Sequence, residues 1–249
     1  MVSGNLVRAL VTGPDTVVAV GSLEVSHLGW SLPGGQVLLD DVSFRVGDGE
    51  HVALVGANGA GKSTVMRLIA GAESPTQGTI TVNGSLGVMT QLVGSLGDTT
   101  MVRDLYVSLS GAPVREAAEA LGRAEADMAA GTGDGMRYAK ALDRWESVGG
   151  YDAEVLWEEC AHRVVGLGWR EVAERPMSTF SGGEQKRMAL ELLLRSDHQV
   201  LLLDEPDNFL DVPGKEWLAD RIRSTPKSVL YVSHDRELLA TTSDKVVTI

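Results

Sequence analysis

Residues Gly56-Ala57-Asn58-Gly59-Ala60-Gly61-Lys62-Ser63-Thr64 decide the fold. They follow the apolar run His51-Val52-Ala53-Leu54-Val55 and open onto Val65-Met66-Arg67-Leu68-Ile69. That order predicts a strand, a glycine-rich loop and a helix, in the spacing G-x-x-x-x-G-K-[ST]. Glycines let the backbone wrap closely around a polyphosphate and aim amide N–H groups at it. The helix start adds a partial positive charge of about half an elementary unit. Lys62 supplies a full charge for the β- and γ-phosphates, and the Ser63 hydroxyl is a ligand for Mg²⁺. A glycine turn holding Lys-Ser by chance is the competing explanation, and the strand and helix on its flanks weigh against it.

A second apolar run, Val200-Leu201-Leu202-Leu203, ends in Asp204-Glu205-Pro206. Acids at the carboxyl end of a parallel strand sit at the sheet edge where ligands bind. Asp204 is placed to hold the hydration shell of Mg²⁺. Glu205 is placed to polarise an attacking water as general base. Alone, the pair reads equally well as a solvated turn after a core strand. Beside the phosphate loop, the chemical role is favoured.

The runs at 52–55, 200–203 and 229–232 are apolar on both faces, the pattern of central strands in a parallel sheet covered by helices. Those at 23–28, 42–46 and 79–82 alternate, which fits a half-exposed antiparallel sheet. Asn83-Gly84 reads as a hairpin turn closing the last of them. Residues 112–130 are rich in Ala, Glu and Arg, all strong helix formers. Tyr138, Leu142 and Trp145 recur at helical spacing, and Gly149-Gly150 stops that helix with Asp152 ready to cap the next. A helical insert over 101–175 therefore interrupts an α/β frame spanning 16–100 and 176–249. Residues 1–15 read as a leader of little structural weight.

Composition narrows the class. The 249 residues suit one large α/β domain or two small ones, with 43% hydrophobic and 22% charged residues. The net charge is −12, the reverse of the basic excess that a nucleic-acid-binding domain shows. The single Cys160 makes no internal disulfide, so a reducing cytoplasm is the expected compartment. It lies in the helical stripe Leu156-x3-Cys160-x3-Val164, which points to packing rather than reactivity. No apolar run approaches the length of a membrane span.

Ser181-Gly182-Gly183-Glu184-Gln185, preceded by Phe180, resembles the signature motif of the ABC ATPases. Physically, Ser181-x-x-Glu184 is a capping box that starts a helix, and a capped, glycine-exposed helix start is an anion site. The resemblance implies that Ser181, Gly182, Gly183 and Glu184 act on the γ-phosphate held by an opposite domain. It extends to four further pieces. Gln91 resembles the glutamine that senses Mg²⁺ and the γ-phosphate, and so is both a catalytic and a metal candidate. Asn208 and Asp211 resemble the D-loop that talks across the dimer. His234, in Ser233-His234-Asp235-Arg236, resembles the switch histidine on the γ-phosphate. Trp30 is the candidate to stack on adenine, with an ordinary strand-end tryptophan as the alternative. His27, His51, His162 and His198 carry no motif. The implied fold is an α/β P-loop NTPase of ABC type over 1–249. It comprises a parallel core sheet, an antiparallel β-subdomain and an inserted α-helical subdomain. The implied cofactors are ATP, cradled by Gly56–Thr64, and Mg²⁺ between Ser63, Gln91 and Asp204.

Asp204-Glu205-Pro206-Asp207-Asn208-Phe209-Leu210-Asp211 resembles the ABC-F version, in which Thr-Asn-His follows the proline; Asp207 and Phe209 depart from it. The long polar arm Tyr138–Asp152 and Ser-His-Asp-Arg at 233–236 are similar to that branch too. The branch implies a tandem ATPase acting on the ribosome in translation or antibiotic resistance, of which this chain reads as the first half. Its partner is then a second ABC domain, in the rest of the chain or in a second copy. Any ribosome contact is expected to come from parts outside this chain. Two alternatives stand beside it: the ATP-binding subunit of a membrane transporter, which shares every catalytic residue and has a membrane partner, and a non-enzymatic clamp that binds ATP with slow or absent hydrolysis.

Overall fold

The computed structural model describes residues 9–11, 17–19, 21–97 and 99–249. Strands β1 (Ala9–Val11) and β2 (Val17–Ala19) pair antiparallel as a sheet of their own. Part of the expected leader is thus a strand; the rest of residues 1–15 lies outside the described residues. The chain forms two compact units. One runs to Gln91 and resumes over Asp197–Ile249; the other is Leu92–Ser196.

Besides the β1–β2 pair, the first unit holds two larger sheets. Strands β3 (Ser22–Ser31), β4 (Val37–Val46) and β6 (Gln77–Asn83) form the antiparallel sheet in the order β4-β3-β6. Strands β5 (His51–Val55), β7 (Leu86–Met89), β8 (Val200–Asp204), β9 (Ser228–Val232) and β10 (Lys245–Thr248) form the other, in the order β10-β5-β9-β8-β7. Every pairing in this second sheet is parallel. All residues of β8 and β9 are buried, as expected for strands with helices on both faces. Leu202 and Leu230 meet Val52, Leu54, Val65 and Leu68 in one hydrophobic core.

Asn83-Gly84 does not close a hairpin, because the strands on either side of it join different sheets: β6 pairs with β3 and β7 with β8. The chain instead turns onto the start of β8. Ser85 N donates to Gln199 Oε1, and Ser85 O accepts from the amides of Gln199 and Val200. Gly84 has φ +104 and lies against the Gln199 side chain, so a long-range contact decides what the local dipeptide signal does not.

Helix α1 (Lys62–Ile69) follows β5. The second unit is built from α2 (Val102–Leu109), α3 (Ala112–Ala129), α4 (Gly135–Ser147), α5 (Gly150–Val165), α6 (Trp169–Val172) and α7 (Gly182–Arg195). It is wider than the insert expected over 101–175, since α7 packs with the helices before it. Tyr106 stacks on Trp169, Trp157 is tilted against Trp169, and Trp145 is tilted against Trp157. Gly149, in the left-handed conformation, is the N-cap of α5, and Asp152 falls in the first turn rather than at the cap. Helices α8 (Val212–Ser224) and α9 (Arg236–Thr242) return to the first unit. No helix among the described residues is long and apolar enough to cross a membrane.

Leu202 lies mid-strand in β8 with no exposed surface. Leu202→Ala is expected to cost about 2–5 kcal/mol of unfolding free energy, read from a urea titration.

Candidate functional site

The phosphate loop forms between β5 and α1 because its glycines take positions that side chains cannot. Gly61 is the N-cap of α1 at φ +101, and a Cβ there would sit 2.7 Å from Leu39 Cδ2. A Cβ on Gly56 would sit 2.5 Å from the carbonyl oxygen of Ile249. Helix α1 has no side-chain cap and no acid in its first turn. Its first amides therefore suit an anion. Lys62 is buried, and its Nζ donates to the carbonyls of Gly56 and Ala57 at 3.0 Å each. The loop thus wraps the ammonium that would meet a phosphate.

The sheet register brings the acids to the same edge. Ala53 of β5 pairs with Tyr231 of β9, and Tyr231 pairs with Leu203 of β8. The loop after Val55 and the acids after Leu203 therefore leave at one level, two strand spacings or about 10 Å apart. Ser233-His234 leaves β9 between them, and Gln91 follows β7 on the far side of β8.

Asp204 is the buried last residue of β8. Glu205 follows in the left-handed region, at φ +49. A non-glycine residue is uncommon there, and such strain concentrates at functional sites. The Glu205 amide donates to Val232 O at 2.9 Å, which holds the turn against β9. The carboxylate is gripped from two sides. Its Oε2 accepts from Gln91 Nε2 at 2.8 Å and from Asn208 Nδ2 at 2.5 Å. Its Oε1 lies 3.7 Å from His234 Nε2. Gln91, Glu205, Asn208 and His234, chosen from distant parts of the sequence, thus converge.

The remaining predicted residues take definite structural positions. Asp211 caps α8, its Oδ1 accepting from Gly214 N at 2.9 Å. Phe209 has φ +68 and is exposed, whereas Asp207 is buried. Trp30 faces Leu39 across the antiparallel pair and is partly buried against the core of the first unit. In the second unit, Ser181 caps α7. Its Oγ accepts from Glu184 N at 3.2 Å, while Glu184 Oε2 accepts from Ser181 N at 2.7 Å. The capping box predicted from Ser181-x-x-Glu184 is therefore formed. Cys160 is fully buried, and desolvation pushes its thiol up to about 12. His27 pairs with Asp41 at 2.6 Å, and His51 Nε2 lies 3.3 Å from Thr225 O.

One pair escaped the sequence. Lys215 Nζ donates to Asp235 Oδ2 at 2.8 Å and ties α8 to the residue after His234. Asp235 also caps α9, accepting from the amides of Glu237 and Leu238. The Lys215 bond, followed by the Leu238 amide, holds the Asp235 carboxyl below the usual range. The same bond raises the Lys215 ammonium. Twenty residues separate the two, with no local motif to mark them.

The donor chemistry fits a hard divalent cation. Ser63 contributes a hydroxyl on α1 and Asp204 a buried carboxylate on the same sheet edge. Among the described residues no group of three His, Cys, Asp or Glu could hold a metal by itself. A hydroxyl and a carboxylate are hard oxygen donors of the kind Mg²⁺ takes, with water and substrate phosphates completing its shell.

A parallel sheet with a glycine–lysine loop at the head of a helix, and acids at the same edge, defines a nucleotide-binding P-loop ATPase domain. The profile of the family described as "ABC transporter" matches residues 39–208. An antibiotic resistance protein of Mycobacteroides abscessus is 45% identical over 229 residues, covering 91% of this chain and 42% of that protein. The tylosin resistance ATP-binding protein TlrC of Streptomyces fradiae is 36% identical, covering 82% of this chain and 38% of its own length. The energy-dependent translational throttle protein EttA of Mycobacterium tuberculosis is 31% identical, over 83% of this chain and 37% of that protein. The chain thus spans less than half the length of these relatives. A solved ATP-binding subunit of an ABC transporter superposes with a TM-score of 0.60 at 22% identity, covering 91% of this chain and 85% of that one, a likeness of fold. The chain belongs to the ABC family, as an ABC ATPase domain.

Replacing Lys62 by Ala removes the one full charge inside the loop. ATP affinity is expected to fall about 10- to 100-fold, the range of a lost charge-assisted hydrogen bond, in an equilibrium binding titration.

Proposed function

We propose that this domain binds Mg-ATP on Gly56–Thr64 and hydrolyses it when a second ABC domain closes over the nucleotide. The observation that carries the proposal is the Glu205 carboxylate, held by Gln91 and Asn208 and turned toward His234, on the sheet edge that bears Lys62. Lys62 and the first amides of α1 hold the β- and γ-phosphates. Mg²⁺, when bound by Ser63, Asp204 and Gln91, neutralises phosphate charge. Glu205 takes a proton from the attacking water. The water oxygen bonds to the γ-phosphorus, and the bond from that phosphorus to the bridging oxygen breaks. The electron pair leaves with ADP. His234 donates a hydrogen bond to the γ-phosphate oxygens as their charge redistributes. Trp30 stacks on adenine. Ser181, Gly182, Gly183 and Glu184 present the start of α7 to the ATP of the partner domain, and Asn208 and Asp211 lie in the loop that faces it.

The family relatives point to the larger task. Proteins named for antibiotic resistance and for a translational throttle match most of this chain, which supports a role on the ribosome, in translation or in protection from drugs. A chain of net charge −12 is poorly suited to contact ribosomal RNA directly. Contacts with RNA then come from the rest of the protein, and the place of action is the cytoplasm.

Glu205→Gln keeps the shape of the base and removes its proton affinity. In the full protein, with the general base of the second domain also replaced, turnover is expected to fall at least about 100-fold while ATP binding persists. Wild-type turnover in that variant refutes the assignment. The same variant is expected to co-sediment with ribosomes only when ATP is present.

A further inference from the structure

We infer that Asn208 is a positioning residue for the general base: its side-chain amide holds the Glu205 carboxylate in the rotation that faces His234. The inference rests on the proposal above that Glu205 is the base. The terminal torsion of a glutamate is broad, so nothing intrinsic to the side chain chooses which carboxylate oxygen points where. The Asn208 and Gln91 amides choose here, and both sit on the same oxygen. Asn208 Nδ2 and Gln91 Nε2 donate to Oε2, and Oε1 lies toward His234.

The two grips differ in origin. Gln91 reaches Glu205 from beyond β7, across 114 residues of sequence. Asn208 sits three residues from Glu205 in the same turn. The turn is closed by its backbone as well, since Asn208 N donates to Glu205 O at 3.3 Å. Pro206 takes the second position of that turn, where its fixed φ is favoured. At the head of the turn Glu205 is forced to φ +49, and its amide is tied to Val232 O. Main chain and side chain of Asn208 therefore fold back onto the same residue. The hold on the carboxylate is built into the loop that carries it and does not wait on another strand or on a second domain. A role confined to contacts across the dimer explains none of these bonds.

The test uses the full protein with the general base of the second domain replaced, so that turnover reports this site. Asn208→Ala is expected to lower kcat about 10- to 100-fold, the order lost when a reacting group is left about 1 Å out of place. KM for ATP stays within about twofold, because the lost interaction serves the transition state and not nucleotide binding. Asn208→Gln, which keeps an amide N–H, restores most of the turnover. An unslowed Asn208→Ala enzyme, or no recovery with Asn208→Gln, overturns the inference. The two levels separate cleanly. Wild-type turnover in Glu205→Gln removes the base itself. An inactive Glu205→Gln beside an unslowed Asn208→Ala removes only the role of Asn208.

Discussion

Parallel pairing of β5, β9, β8 and β7 is the constraint on which the site depends. In a parallel sheet every strand delivers its following loop to the same edge. The phosphate loop, Ser233-His234, Asp204-Glu205 and Gln91 each follow one of these strands. Their residues lie 56 to 234 in the sequence, yet register fixes them within a few strand spacings. An antiparallel arrangement would send half of them to the opposite edge. The buried apolar residues of β8 and β9 secure this pairing, so the geometry of the proposed site rests on the hydrophobic core rather than on the polar residues proposed to carry its chemistry.

Within that frame, local strain finishes the placement. Glu205 does not simply continue β8. It breaks into the left-handed region, where the Val232 carbonyl and the turn to Asn208 hold it. A relaxed, extended residue there would carry on along the strand. The cost of the unusual φ is met by hydrogen bonds from three separate segments, which is how a strained residue persists in a folded protein.

Much of this was legible in the residues. Strands apolar on both faces announced the parallel core, alternating ones the antiparallel sheet, and Ser181-x-x-Glu184 its helix cap. These signals are local or periodic, and short segments carry them whole. What was not legible depends on partners far away in sequence. Asn83-Gly84 has the chemistry of a hairpin turn, but Ser85 bonds to Gln199 and commits the next strand to the other sheet. Asp152 looked like a cap, yet Gly149 reached the left-handed conformation first. The Lys215–Asp235 pair leaves no trace in any window of a few residues. Asn208 was visible as part of a motif, but its bond to Glu205 was visible only once the turn had closed.

The lone thiol has a practical side. Cys160 is wholly enclosed and its ionisation is strongly opposed, so the described fold shows reagents no reactive sulfur. Cysteines introduced on the surface can then take up fluorophores or spin labels without first stripping out the native one. The domain is in effect a blank background for measuring distances as it meets the proposed second domain.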